Sequence, residues 1–168
     1  QARIGGEGTA YLASLPFAHR IAPPGGASPG DDLLIVHASP TDVDNAVITE
    51  ANPSSGSGQR LTPEDAAARL IGDARANLIL YGHIHYASSG TVRGQRLASI
   101  GATGFPFDRD QRAAYAIVTW GGDAWRVAHH RVTYDVQAVI NDLRGSGAPF
   151  TDMAVGRLRY AMAQPTAQ

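Results

Sequence analysis

The segment Gly82-His83-Ile84-His85 carries two imidazoles two positions apart, and a third histidine, His37, ends an apolar run upstream. At the end of a strand, residues two apart point to one side, with about 6.5–7 Å of chain rise between them. The paired ions of a metal-dependent hydrolase sit about 3.5–4 Å apart, each about 2.0–2.1 Å from an imidazole nitrogen. His83 and His85 at that spacing can therefore hold one ion each. Gly82 would let the backbone turn sharply and leave room for ions or substrate. His-x-His alone is a weak signal, because one ring of such a pair more often packs while the other is solvated. His37 adds weight by repeating the arrangement, a histidine delivered at the carboxyl end of an apolar strand, which is where open α/β sheets gather their ligands.

The elements that must position these residues are legible as patterns. Residues 33–37 and 77–81 read as buried strands. Between them Thr62 reads as an N-cap, Pro63 as the first helical residue and Asp65 as a capping-box partner, for a helix running to Ile71. A helix between two apolar strands is a crossover unit of a partly parallel sheet. Residues 38–60 form a long polar loop, a length that is usually functional. Upstream, residues 9–15 read as the end of a helix halted by Pro16, and 17–21 as a short strand. Downstream, Gly94-Gln95 and Gly121-Gly122-Asp123 each join two strands as hairpins. Asp135 caps a helix through Leu143, and 152–162 forms a last one.

Composition narrows the chemistry. The 168 residues are 43% hydrophobic and 17% charged with a net charge of −1, which suits one globular domain and offers no basic footprint for nucleic acid. Cysteine is absent, so thiolate metal sites and disulfides are excluded. Lysine is absent too, and all 14 cationic residues are arginine, which removes Schiff-base chemistry and a phosphate-loop lysine. No apolar run is long enough for a bilayer and no secretory signal pattern opens the chain. A cytoplasmic location is the expectation, on these negative grounds.

Val36-His37-Ala38-Ser39-Pro40 and Tyr81-Gly82-His83-Ile84-His85 resemble the last two metal-binding blocks of calcineurin-like metallophosphoesterases. Residues 99–106, followed by Asp108, Asp110, Arg112 and Tyr115-Ala116-Ile117-Val118, are similar to the stretch that closes the fold in small bacterial and archaeal phosphodiesterases of that family. The resemblance covers residues 9–130. It implies an α/β fold, a four-layer α/β/β/α sandwich, with two divalent ions (Mn, Fe, Zn or Ni) at its site. It also implies that His37 and His83 bind one ion and His85 the other. Such a pair polarises a phosphoryl group and activates water for in-line attack. Ser39 and Arg112 are the candidate substrate-binding residues, although Ser39 also suits a turn with Pro40 and Arg112 a surface ion pair with Asp108 or Asp110. Asp42 and Asp44 fall in the variable loop and read as solvated turn residues.

The family's Asp-x-His, Gly-Asp and Gly-Asn-His blocks are not found here. They carry the bridging carboxylate, the asparagine ligand and the proton donor, and the expectation is that they lie before Gln1, with the first strands of the fold, in roughly 70 residues. Residues 1–168 then form the C-terminal part of one metallophosphoesterase domain. The partners expected are a small phosphorylated substrate and either the missing N-terminal segment or a second copy, with no membrane. Nucleic acid is disfavoured as a partner but stays open as a substrate. A rival reading is a truncated, non-catalytic homologue that binds metal weakly or acts through another chain. A second is a mononuclear three-histidine protein of another fold.

Overall fold

The computed structural model describes residues 4–52 and 60–163. The elements follow the order α1 (Gly5–Ser14), β1 (Ala18–Ile21), β2 (Leu33–Val36), α2 (Glu64–Ile71), β3 (Leu78–Tyr81), β4 (Ala87–Val92), β5 (Gln95–Ile100), β6 (Ala113–Trp120), β7 (Trp125–Val132), α3 (Val136–Gly145) and α4 (Thr151–Tyr160).

β2, β3 and β5 run parallel at the centre of a five-stranded sheet of order β1-β2-β3-β5-β4, and β1 and β4 pair antiparallel at its edges. The expected crossover is therefore present: β2 passes through α2 to a parallel β3. Leu34, Val36, Ile79, Tyr81 and Leu97 face α2, where Ala67 and Ile71 are buried against them. Leu33, Leu78, Leu80 and Ala98 face the other way, onto Trp125, Val118, Trp120 and Val127 of the two-stranded β6-β7 ribbon. A central strand buried on both faces needs an unbroken apolar run. Leu78-Ile79-Leu80-Tyr81 supplies one, and each such side chain stabilises the fold by about 1.5–3 kcal/mol.

The local signals for the second helix are used differently from the sequence expectation. Pro63 is the N-cap and no side chain caps the helix. The Thr62 hydroxyl accepts from Ile48 N at 2.8 Å, and Thr62 N donates to the Ile48 carbonyl at 3.0 Å, which ties the long loop to the helix entrance. Asp65 pairs with Arg69 one turn on. Asp135 does cap α3, accepting from Ala138 N at 2.9 Å. Within the 38–60 loop, residues 53–59 lie outside the described residues, while Val47 and Asn52 are buried.

Three layers stack in order: α2, the five-stranded sheet and the ribbon. Tyr115, Ile117 and Val132 on the ribbon remain exposed. α3 and α4 instead form a small core of Ile140, Val155 and Leu158, against which Phe105 packs. On α1, Tyr11 and Leu12 are exposed and no residue is buried. No helix among the described residues is long and apolar enough to cross a membrane.

Candidate metal centre

The three parallel strands end side by side, and each carboxyl end contributes a piece of the site. His37 follows β2, His83 and His85 follow β3, and the loop after β5 brings Phe105 and Phe107. Gly82 N donates to the His37 carbonyl at 2.9 Å, one step beyond the β2-β3 ladder. The ladder thus sets the histidine-bearing ends level with one another.

Beyond Tyr81 the chain leaves the strand, so the expected extended spacing of His83 and His85 is not what places them. Both adopt left-handed backbone conformations, each with φ of 61°. Left-handed conformations cost a non-glycine residue about 1–2 kcal/mol. Between the pair, Ile84 is 2% exposed and sits in the core that α2 covers. Its burial, worth about 1.5–3 kcal/mol, offsets much of that strain and leaves both flanking imidazoles only partly covered. The expected role of Gly82 is also corrected. Its φ is not positive, and an added Cβ would stand 3.7 Å from the His37 carbonyl, an ordinary contact.

His37 and His83 meet edge to face, ring centroids 5.1 Å apart, with His37 Nε2 3.2 Å from His83 Nδ1. Two imidazole nitrogens on one ion at about 2.0–2.1 Å stand about 2.9–3.4 Å apart for octahedral to tetrahedral angles. The observed separation falls in that range, and it also suits a hydrogen bond between neutral rings. Partial burial, then the neighbouring His37 and His85, push the pKa of His83 below its ordinary value, while Asp44 opposes the shift. That favours the neutral imidazole a metal requires.

His85 is held apart from this contact. Its Nδ1 donates to the Phe105 carbonyl at 2.8 Å, and its ring stacks on Phe107 at 4.6 Å and 10°. Donation from Nδ1 selects the tautomer whose Nε2 keeps a lone pair for a ligand.

Ser39 is 1% exposed, and its hydroxyl donates to the Asp42 carbonyl and accepts from Asp42 N, both at 3.1 Å. This is the turn role weighed beside substrate binding. The Arg112 guanidinium grips both carboxylate oxygens of Asp110, at 2.6–3.1 Å, and Asp108 pairs with Arg131. Asp42 accepts from Asp44 N, Asn45 N and Asn45 Nδ2, so it organises its own turn. That turn brings Asp44 close enough to act on His83. Asp44, Phe105 and Phe107 were not singled out as site residues from sequence. Only their nearness to the histidine and glycine-proline blocks hinted at them.

Among the described residues no group of three or more histidine or carboxylate side chains is arranged to hold an ion. His37 and His83 stand at a separation that two ligands of one ion could adopt, while His85 is tied to Phe105 and Phe107. Neutral imidazoles alone do not balance two divalent cations, so the donor set present is partial.

No family model matches the chain, and no curated protein matches it. Among solved structures, it is similar to a metallophosphoesterase from Sphaerobacter thermophilus, at 23% identity and a TM-score of 0.67 over 96% of this chain. It is also similar to a hypothetical protein from Pyrococcus horikoshii OT3, at 18% identity and a TM-score of 0.68 over 98% of this chain. The chain spans 65% and 57% of the length of these two structures. At such identities the likeness is one of fold.

Proposed function

We propose that this chain, whose fold is metallophosphoesterase-like, supplies the histidine side of a two-metal site that hydrolyses a phosphoester. His37 and His83 would hold one divalent ion and His85 the second, with manganese, iron, zinc or nickel all suited to such donors. When bound, such ions polarise a phosphoryl group and activate water. The bridging carboxylate and the proton donor would come from residues outside this sequence, of which the chain would be the C-terminal part of one domain.

The observation that carries this reading is the 3.2 Å approach of His37 Nε2 to His83 Nδ1 at the carboxyl ends of two adjacent parallel strands. His85 supports it, with its Nδ1 committed to Phe105 and its Nε2 left as the ligating nitrogen. The chain's own residues orient the rings, favour the neutral form of His83 and hold the loops around them. The substrate class is a small phosphorylated molecule, either phosphomonoester or phosphodiester.

The lack of a third ligand beside His37 and His83 among the described residues favours one rival: a homologue without catalysis that binds metal weakly or acts through a partner chain. A phosphatase and phosphodiesterase screen with Mn²⁺ on the full-length protein, beside His83→Ala, separates the two. Metal-dependent hydrolysis lost in the variant supports the enzyme. Hydrolysis unchanged in the variant overturns the site, and no hydrolysis with Mn²⁺ favours the rival.

A further inference from the structure

We propose that the 105–107 turn, clamped by the C-terminal helix pair, is the positioning device of His85: it fixes which ring nitrogen carries the proton and the plane in which the ring lies. This rests on the metal-centre reading only for what Nε2 then binds.

The turn holds His85 at three points. The Phe105 carbonyl accepts from the ring Nδ1 at 2.8 Å, Phe107 N donates to the His85 carbonyl at 3.0 Å, and the Phe107 ring lies parallel to the imidazole at 4.6 Å. Side chain and backbone are thus gripped together. Rotation about the ring axis would break the hydrogen bond, and tilting would break the stack.

The turn is itself held from both sides. Asn52, buried in the loop that follows His37, donates Nδ2 to the Phe107 carbonyl at 2.8 Å. From α4, the Arg157 guanidinium stands 5.6 Å over the opposite partner of the stack, Phe107. Arg109 N donates to the Ala161 carbonyl at 3.0 Å and Gln111 Nε2 to the Arg159 carbonyl at 2.5 Å. Phe105 packs on Ile140, Val155 and Leu158 of the helix pair, while its backbone takes a left-handed φ of 40°. A non-glycine residue keeps such a conformation only where its surroundings over-determine it. Here those surroundings are α3 and α4, which form their own small core. That gives the helix pair a role in the site although neither helix carries a histidine.

The chemistry follows from the carbonyl. A carbonyl oxygen only accepts, so a neutral His85 must carry its proton on Nδ1 and expose the Nε2 lone pair. Partners of this kind orient ligating histidines, and losing them weakens metal binding by about 10–100-fold.

Long-range ¹H–¹⁵N NMR of the metal-free full-length protein at pH 8 reads the His85 tautomer directly. A protonated Nδ1 with an unprotonated Nε2 is expected, and the opposite tautomer overturns the proposal. Phe107→Leu, which keeps apolar bulk without the stack, and Arg157→Gln, which removes the cation over the Phe107 ring, should mix the two tautomers. Each should also weaken Mn²⁺ binding, read by calorimetry with the metal alone, about tenfold or more. Ile71→Val, in the core under α2, should lower the melting temperature and leave the tautomer unchanged. A His85 ring pattern and Mn²⁺ affinity unaltered in Phe107→Leu and Arg157→Gln would overturn the positioning role. If the tautomer responds as expected while neither parent nor variant binds Mn²⁺, the positioning stands and the metal-centre reading falls. Should Phe107→Leu fail to fold, the parent's tautomer and Arg157→Gln still decide.

Discussion

His37 and His83, 46 residues apart in sequence, bring Nε2 and Nδ1 to 3.2 Å of each other. The contact follows from the parallel β2-β3 ladder, extended by the bond from Gly82 N to the His37 carbonyl. If the pair shares one ion, the two rings act as a unit and their substitutions cannot be additive. His37→Ala and His83→Ala should each weaken Mn²⁺ or Zn²⁺ binding in the full-length protein by about tenfold or more, a scale set by single-ligand and outer-shell losses. The double variant should be little worse than the weaker single one. Calorimetric titration of the four proteins checks this, and additive losses would place the rings on separate ions.

The glycines of the site region separate by local space. Gly82→Ala meets only an ordinary 3.7 Å contact and requires no left-handed backbone, so its stability should change by less than about 1 kcal/mol. At Gly101, φ is +85° and an added Cβ would fall 2.7 Å from the Ala114 Cβ. Gly101→Ala should therefore destabilise by about 2 kcal/mol or more, through strain and overpacking together. Chemical denaturation of both variants tests the contrast, which reverses what the Gly-His-x-His pattern suggests on its own.

Much of this arrangement could be read from local signals. The apolar runs at Leu33 and Leu78 gave parallel neighbours and Asp135 caps its helix, while the β4-β5 hairpin is present with its turn at Arg93-Gly94, φ of 47° and 82°, one residue before the Gly94-Gln95 pair expected. What sequence hid is set by tertiary contacts. The left-handed turns at His83 and His85 depend on Ile84 finding a core behind α2, which no nearest-neighbour preference encodes. The Thr62 hydroxyl had two partners on offer, its own helix or Ile48, and the loop won. The bond from His85 to Phe105 spans 20 residues, and neither residue type announces it.

Two phenols tie the loop after His37 to the sheet. Tyr81 is 2% exposed and its hydroxyl donates to the Val47 carbonyl at 2.7 Å, while burial raises its pKa above the ordinary value. Tyr81→Phe leaves that carbonyl buried without its donor, a loss of about 1–3 kcal/mol. Amide hydrogen exchange should quicken through residues 46–50, with Tyr86→Phe acting the same way through its bond to the Glu50 carbonyl at 2.8 Å. Exchange unaltered in both variants would mean that the loop is held elsewhere, for example through Thr62.

Acid should loosen the Asp110 turn. Hydrogen bonds from the Arg112 side chain lower the Asp110 pKa from its ordinary 3.8 to about 2. Between these values the unfolded chain binds a proton that the native one refuses, so native stability falls as pH drops from about 4 towards 2 and is fully present above that window. Asp110→Asn should flatten this part of the stability profile and lose at neutral pH about what the parent loses in acid, an amount kept small because the Arg112 side chain is 52% exposed and water screens the pair. Added salt should shrink the difference between parent and variant for the same reason. Urea denaturation from pH 2 to 7 reads the slope directly. An unaltered acid slope in Asp110→Asn would show that the guanidinium grip on this carboxylate does not persist in solution.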